Sequence, residues 1–157
     1  ENLEEFIAEI KNLGYLVKLD TNGNRPERLK QLCESGMIDY VAMDVKNSPE
    51  KYAQTVGLNN EVFRLENIKE SVAYLMASDI DYEFRTTVAK ELHEKEDLLT
   101  IARWIRGAKH YYLQQYTESP NVIQPGFHAY DNEEMRQLCE AVREFVPSAE
   151  IRGLKEG

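Results

Sequence analysis

The sequence is poor in the residues that build redox and metal centres. Its 157 residues include two cysteines, Cys33 and Cys139, and three histidines. Two cysteines are too few for a disulfide framework, and these two form neither a Cys-x-x-Cys pair nor a zinc-ligand spacing. His93, His110 and His128 are scattered without a helical i, i+4 companion, so no zinc site is expected. Positive charge is in deficit. The 19 Lys and Arg stand against 28 Asp and Glu, a net −9. Such a chain is a poor match for a nucleic-acid backbone or an anionic membrane surface. No apolar run approaches the ~18 residues of a membrane span. No signal peptide is visible, and a cytoplasmic location is expected. A glycine-rich phosphate loop and a Gly-x-Ser-x-Gly elbow are both missing. No repeat, low-complexity segment or linker stands out.

What remains describes a globular protein: 42% hydrophobic and 30% charged residues, outside the range of disordered chains. The length fits one α/β domain and is enough to bury roughly 70% of the unfolded surface. The chain opens at Glu1, without methionine and inside a helical pattern. We therefore expect a piece of a longer protein.

Short β-rich runs alternate with amphipathic ones. Leu3, Phe6, Ile7, Ile10 and Leu13 share a helical face, which Gly14 ends. Residues 15–20 read as a strand, followed by the turn Thr21-Asn22-Gly23. Pro26 suits a first helical turn, and Leu29, Leu32 and Cys33 line that helix. Strands are expected at 38–45, 81–88, 110–116 and 149–152. Helices are expected near 49–56, 66–77, 95–106 and 132–145. A polar loop with Pro120, Pro125 and Gly126 spans 117–130; its Phe127, His128 and Tyr130 could form a lid or partner contact, or merely an irregular loop. Such alternation predicts right-handed crossovers and a parallel sheet. About five strands are too few to close a barrel, which needs ~250 residues.

Strand residues alternate faces. Val17 and Leu19, then Val41, Met43 and Val45, then Phe84, Thr86 and Val88, then Tyr111 and Leu113 form the face that helices should cover. The opposite face carries Lys18, Asp20, Asp44, Lys46, Glu83, Arg85 and Gln114. A doubly wound sheet buries both faces. A curved sheet with helices outside and a polar inner face, a partial parallel (β/α) barrel, fits better. Asp20 and Asp44 end successive strands, where parallel α/β folds bind ligands. The two carboxylates could hold a cation or ammonium group while Lys46 and Arg85 take a carboxylate. Alternatively Asp20 pairs with Lys46 and Asp44 with Arg85 as structural ion pairs. Cys33 and Cys139 read as buried thiols, and Trp104 as a packing residue.

The strand ends carry a resemblance. Leu19-Asp20-Thr21-Asn22-Gly23, Met43-Asp44-Val45-Lys46, Phe84-Arg85-Thr86-Thr87-Val88 and Leu113-Gln114-Gln115-Tyr116, in this order, resemble the radical S-adenosylmethionine (SAM) enzymes that activate glycyl-radical enzymes. Within that family the activators of anaerobic ribonucleoside-triphosphate reductase are most similar. The resemblance implies a [4Fe–4S] cluster and SAM. One electron from the cluster cleaves SAM to methionine and a 5′-deoxyadenosyl radical, which takes a hydrogen atom from a glycine of the target enzyme. It also implies a monovalent cation at Asp20, Thr21 and Asp44, SAM contacts from Lys46 and Arg85, and places for Asn22 and Gln114 in the same cofactor-binding shell. A glycyl-radical enzyme is the implied partner, and flavodoxin or ferredoxin the implied reductant.

The departures from the family are large. Its Cys-x-x-x-Cys-x-x-Cys and Gly-Gly-Glu-Pro motifs are absent and would precede Glu1. Thr117 stands where pyruvate formate-lyase activators have histidine. The chain thus resembles the last two-thirds of an activator, an N-terminally truncated radical-SAM-like barrel. Fe–S clusters need thiolate ligands, so no cluster is expected in this chain, which alone should be inert and bind SAM weakly. The alternative is a non-catalytic α/β module for a small ligand or a subunit contact.

Overall fold

A computed structural model describes residues 2–58, 62–118 and 126–154. The order is α1 (Leu3–Asn12), β1 (Lys18–Thr21), α2 (Pro26–Glu34), β2 (Tyr40–Asp44), α3 (Tyr52–Thr55), α4 (Leu65–Ala77), β3 (Asp81–Val88), α5 (Lys95–Trp104), β4 (Tyr111–Gln115), α6 (Asn132–Arg143) and β5 (Ala149–Arg152). The five strands form one sheet in the order β1-β2-β3-β4-β5, and every neighbouring pair is parallel. Right-handed crossovers between strands laid down in this order put the helices that connect them on one face. This is the partial parallel (β/α) barrel expected from the alternation.

The register aligns the two faces. Met43 pairs with Phe84, and Phe84 with Tyr111. These three are fully buried together with Val41, Val45 and Leu113. Leu98, Ile101, Met135 and Val142 of α5 and α6 join them in one cluster. On the other face Asp44 pairs with Arg85, and Arg85 with Tyr112. The α6 N-terminus is set by Asp131, whose side chain accepts from the Glu134 amide at 2.8 Å, while Glu134 accepts in return from the Asp131 amide at 2.8 Å. This reciprocal pair satisfies amides that the helix leaves open. Of the polar loop, residues 119–125 lie outside the described residues.

Two expectations change at the β1 edge. The strand starts at Lys18 rather than at residue 15, and Tyr15 and Leu16 are exposed. The apolar face of α1 buries only Ile7, whereas Phe6 is 55% and Leu13 75% exposed. The physical reason is position. Among the described residues no strand pairs with the outer side of β1, so nothing covers the flank of α1 that faces away from β2.

Gly23 ends the turn after β1 at φ 72°, a left-handed conformation that costs an L side chain ~1 kcal/mol or more. A Cβ there would collide with Met43 Cε, and Met43 has no exposed surface into which to swing. Gly23→Ala should therefore lower stability by about 2–3 kcal/mol, strain and overpacking together. A urea midpoint within error of the unaltered protein would contradict this.

Candidate functional site

The C-terminal ends of β1 and β2 and the middle of β3 bring four of the expected residues together. Arg85 Nη2 lies 3.1 Å from Asp44 Oδ1, and Arg85 Nη1 lies 3.4 Å from Asp20 Oδ2. Lys46 Nζ sits 2.8 Å from the other Asp44 oxygen. One carboxylate thus serves two cations, and one guanidinium spans two carboxylates. This corrects the expected pairing in one respect. Asp44 does pair with Arg85, but Asp20 meets Arg85 rather than Lys46, because the Lys46 ammonium turns back to Asp44, two residues before it. Arg85 is the enclosed member, with 15% of its side chain exposed against 62% for Asp20. Coulomb attraction there is screened less than at an open surface.

The remaining expected residues are placed differently. Thr21 points to the helix side, in register with Met43, and its hydroxyl accepts from the Gly23 amide at 3.1 Å. The exposed Asn22 side chain accepts from the Asn24 amide at 3.0 Å. Both therefore shape the turn, and a cation at Asp20 and Asp44 would not meet the Thr21 hydroxyl. Gln114 lies on the polar face beside Thr87 and Arg152, two strands from the Asp44 group.

Below this rim lies a second charged group, in which Lys18 and Glu83, expected on the polar face, meet two partners that the sequence reading did not single out, Tyr40 and Arg152. The Glu83 side chain is only 2% exposed. Arg152 grips it through two bonds of 2.6 and 2.8 Å, and Tyr40 donates to it at 2.9 Å. Lys18 stands 3.4 Å away. Arg152 reaches across the sheet with its guanidinium 3.4 Å from the centre of the Tyr112 ring. Burial alone would raise the Glu83 carboxyl, but the bonds from Arg152 and Tyr40 prevail and hold it at about 2. Period-two alternation through β5 does place Arg152 on the polar face; its reach to β3 has no sequence signal.

His93 is also buried. Its Nδ1 accepts from the Ala89 amide at 3.3 Å, which leaves Nε2–H to donate to the Lys46 carbonyl at 2.8 Å. Burial lowers its pKa, against opposing contributions from the Lys46 bond and the Asp97 carboxylate, with Lys51 nearby. The unfolded chain then takes up a proton below about 6.5 while the folded one resists. The His93 contribution to stability is present above that pH and lost as pH falls through the lowered folded value. The exposed His128 is raised by Glu91, so its contribution has the opposite sign: present below about 6.5 and lost as pH rises through the raised value. In a His128→Gln background, denaturant midpoints should fall on acidification below pH ~6.5, and His93→Gln should flatten that limb. An unchanged slope would rule out the His93 assignment.

The other singled-out residues are mostly tied into the fold. Tyr130 donates to the His93 carbonyl at 2.6 Å, and His128 meets Glu91 at 2.5 Å. Phe127 lies edge-on to Tyr116. Cys139 is buried and Cys33 half-buried, and both are free. Burial raises both thiols. Among the described residues no three His, Cys, Asp or Glu side chains gather as a metal site, and no helix is long and apolar enough to cross a membrane. Grooves of about 790 Å3 along α6 and β5 and about 510 Å3 along β1 and α2 flank the sheet edges; neither contains Asp44, Lys46 or Arg85.

No family model matches the sequence. Over 94% of its length the chain is 29% identical to a Methanocaldococcus jannaschii protein assigned as a glycyl-radical enzyme activating enzyme, and the match spans 63% of that protein. The chain therefore spans less than two-thirds of the curated relative. A crystal structure of a domain of pyruvate-formate lyase-activating enzyme from Bacteroides vulgatus superposes with TM-score 0.73 at 14% identity, over 95% of this chain and 88% of that one. A radical SAM methyltransferase from Sphaerobacter thermophilus superposes with TM-score 0.71 at 17% identity, over 89% of this chain and 40% of that one. The fold is thus the helix-backed parallel partial barrel of radical SAM proteins, in a chain similar in sequence to an activating enzyme.

Proposed function

We propose that this chain is the SAM-receiving part of a radical SAM enzyme that activates a glycyl-radical enzyme, and that the target is an anaerobic ribonucleoside-triphosphate reductase. The observation that carries the reading is Arg85 spanning Asp44 and Asp20 beside Lys46, at the strand ends where barrels of this kind take ligands. A zwitterionic amino-acid end suits this group: its carboxylate draws on Arg85 and Lys46, its ammonium on Asp20 and Asp44. A monovalent cation could take the ammonium's place between the two carboxylates. Asn22 bounds the turn beside Asp20, and Gln114 lies on the same polar face two strands from Asp44, so neither adds to this group. The sequence similarity to an activating enzyme supports the same reading.

The residues present do not fit a [4Fe–4S] cluster. Cys33 lies on α2 and Cys139 on α6, and cluster ligation needs more thiolates than two. We therefore assign no electron-transfer step to this chain. Residues 1–157 then form a single α/β domain that is one part of a longer barrel and inert by itself. In that longer enzyme the reductant would be a flavodoxin or ferredoxin. Anaerobic incubation with iron and sulfide should leave the chain without the absorbance of a cluster. SAM should bind weakly at millimolar concentration, followed by chemical-shift changes, and Arg85→Met should weaken it at least tenfold. A reconstituted cluster that cleaves SAM would overturn the inert reading, and equal SAM binding by Arg85→Met would overturn the site. A subunit-contact module is the second reading, favoured by the exposed Phe6, Leu13 and Leu16 at the β1 edge.

A further inference from the structure

Lys46 lies two residues past the end of β2, where its main chain also meets the Tyr52 hydroxyl. Its carbonyl is held from the other side, by His93 Nε2–H at 2.8 Å. His93 belongs to the turn after β3, and that turn is itself fixed. The His93 amide donates to the Ala89 carbonyl at 3.0 Å, the ring accepts from the Ala89 amide at 3.3 Å, and Tyr130 donates to the His93 carbonyl at 2.6 Å. The neighbouring Asn47 makes a second tie between the same two segments. Its side chain is fully buried and donates to the Leu92 carbonyl at 2.8 Å. Lys46 is thereby clamped from the β3 side while its ammonium reaches Asp44 at 2.8 Å. With the Lys46 main chain already fixed, ligand binding must order only its side-chain rotamers and not the backbone beneath them.

We propose that His93 is a positioning residue, which sets Lys46 for contact with the ligand carboxylate through the Lys46 main chain. The inference rests on the reading of the rim group as a SAM site. His93 itself touches no ligand. It acts as a fixed N–H donor, and a side chain with an N–H donor and an acceptor in similar places can replace it.

The test compares two ligands. SAM carries the amino-acid end, and 5′-methylthioadenosine lacks it. His93→Leu should weaken SAM about tenfold while leaving methylthioadenosine unchanged, and His93→Gln should restore SAM binding. In a Lys46→Met background His93→Leu should have no further effect, because the contact it positions is gone. Equal weakening of both ligands by His93→Leu would mean a general structural role and would overturn the proposal. So would unchanged SAM binding, or losses that multiply with those of Lys46→Met. If the unaltered chain binds neither ligand, the rim site is refuted and the inference falls with it. If SAM binds and Lys46→Met has no effect, the inference alone falls.

Discussion

Arg152→Ala is expected to destabilise the protein by about 3 kcal/mol, the lower end of the ~3–5 kcal/mol seen when one member of a buried ion pair is removed. The lower end applies because the Arg152 side chain is 36% exposed whereas that of Glu83 is 2% exposed. Without the guanidinium, the Glu83 carboxylate keeps only Tyr40 at 2.9 Å and Lys18 at 3.4 Å. The melting temperature should drop by about 6–12 °C, at the usual ~2–4 °C per kcal/mol for a chain of this size. Replacing both members by leucine should recover most of the loss, since the desolvation penalty disappears with the pair. The pH dependence follows from the lowered carboxyl. Its contribution is complete above the ordinary value of 4.5 and is lost as pH falls towards about 2, because the unfolded chain takes up the proton first. Glu83→Gln should remove that acid limb. An Arg152→Ala protein melting within a degree of the unaltered one would refute the clamp.

Thr86→Val, although nearly isosteric, should cost about 2–4 kcal/mol, because it strands two buried polar groups at ~1–3 kcal/mol each. Thr86 Oγ1 donates to the Val45 carbonyl at 2.7 Å, so the Tyr111 hydroxyl, 2.8 Å from the same oxygen, must donate to Thr86. The relay runs Tyr111 to Thr86 to Val45, and all three residues are buried. Valine would leave the Tyr111 hydroxyl without an acceptor and the Val45 carbonyl without that donor. Tyr111→Phe should cost less, ~1 kcal/mol, since it removes a donor and leaves the Thr86 to Val45 bond. The double variant should be no less stable than Thr86→Val, as the two act on one network. Additive losses would show that the two bonds are independent.

Much of the architecture is readable in the sequence, because period-two alternation is strong in β2 and β3. Asp81–Val88 and Ala149–Arg152 match their expected bounds, and the charged face from Asp20 through Arg85 is visible from alternation alone. The errors have physical causes. At β1, Tyr15 and Leu16 look like strand residues, but pairing decides the strand and it begins at Lys18. The Leu3, Phe6 and Leu13 stripe reads as core, yet burial depends on a neighbour that pattern cannot supply. Within the charged group, strand-end order shows that Asp20, Asp44, Lys46 and Arg85 meet. Which ions pair depends on side-chain reach, so of the two alternative ion pairs only Asp44 with Arg85 is present, and Lys46 turns to Asp44. Arg152 and His93 lay beyond sequence reasoning. One acts diagonally across three strands, and the other acts from a turn through a main-chain bond.

The strand order never reverses. In open sheets wound in both directions, a crevice opens where neighbouring crossovers leave on opposite sides, and ligands settle there. Here the order β1-β2-β3-β4-β5 provides no such divide. On the proposed reading the bare face of the sheet is the recess itself, walled by strand side chains such as Asp44 and Arg85. Changing what such a recess accepts would mean replacing residues like Arg85 that also hold neighbouring strands together. On the proposed reading, ligand preference and sheet integrity are therefore mutationally linked, and variants at Arg85 should lose both together more often than either alone.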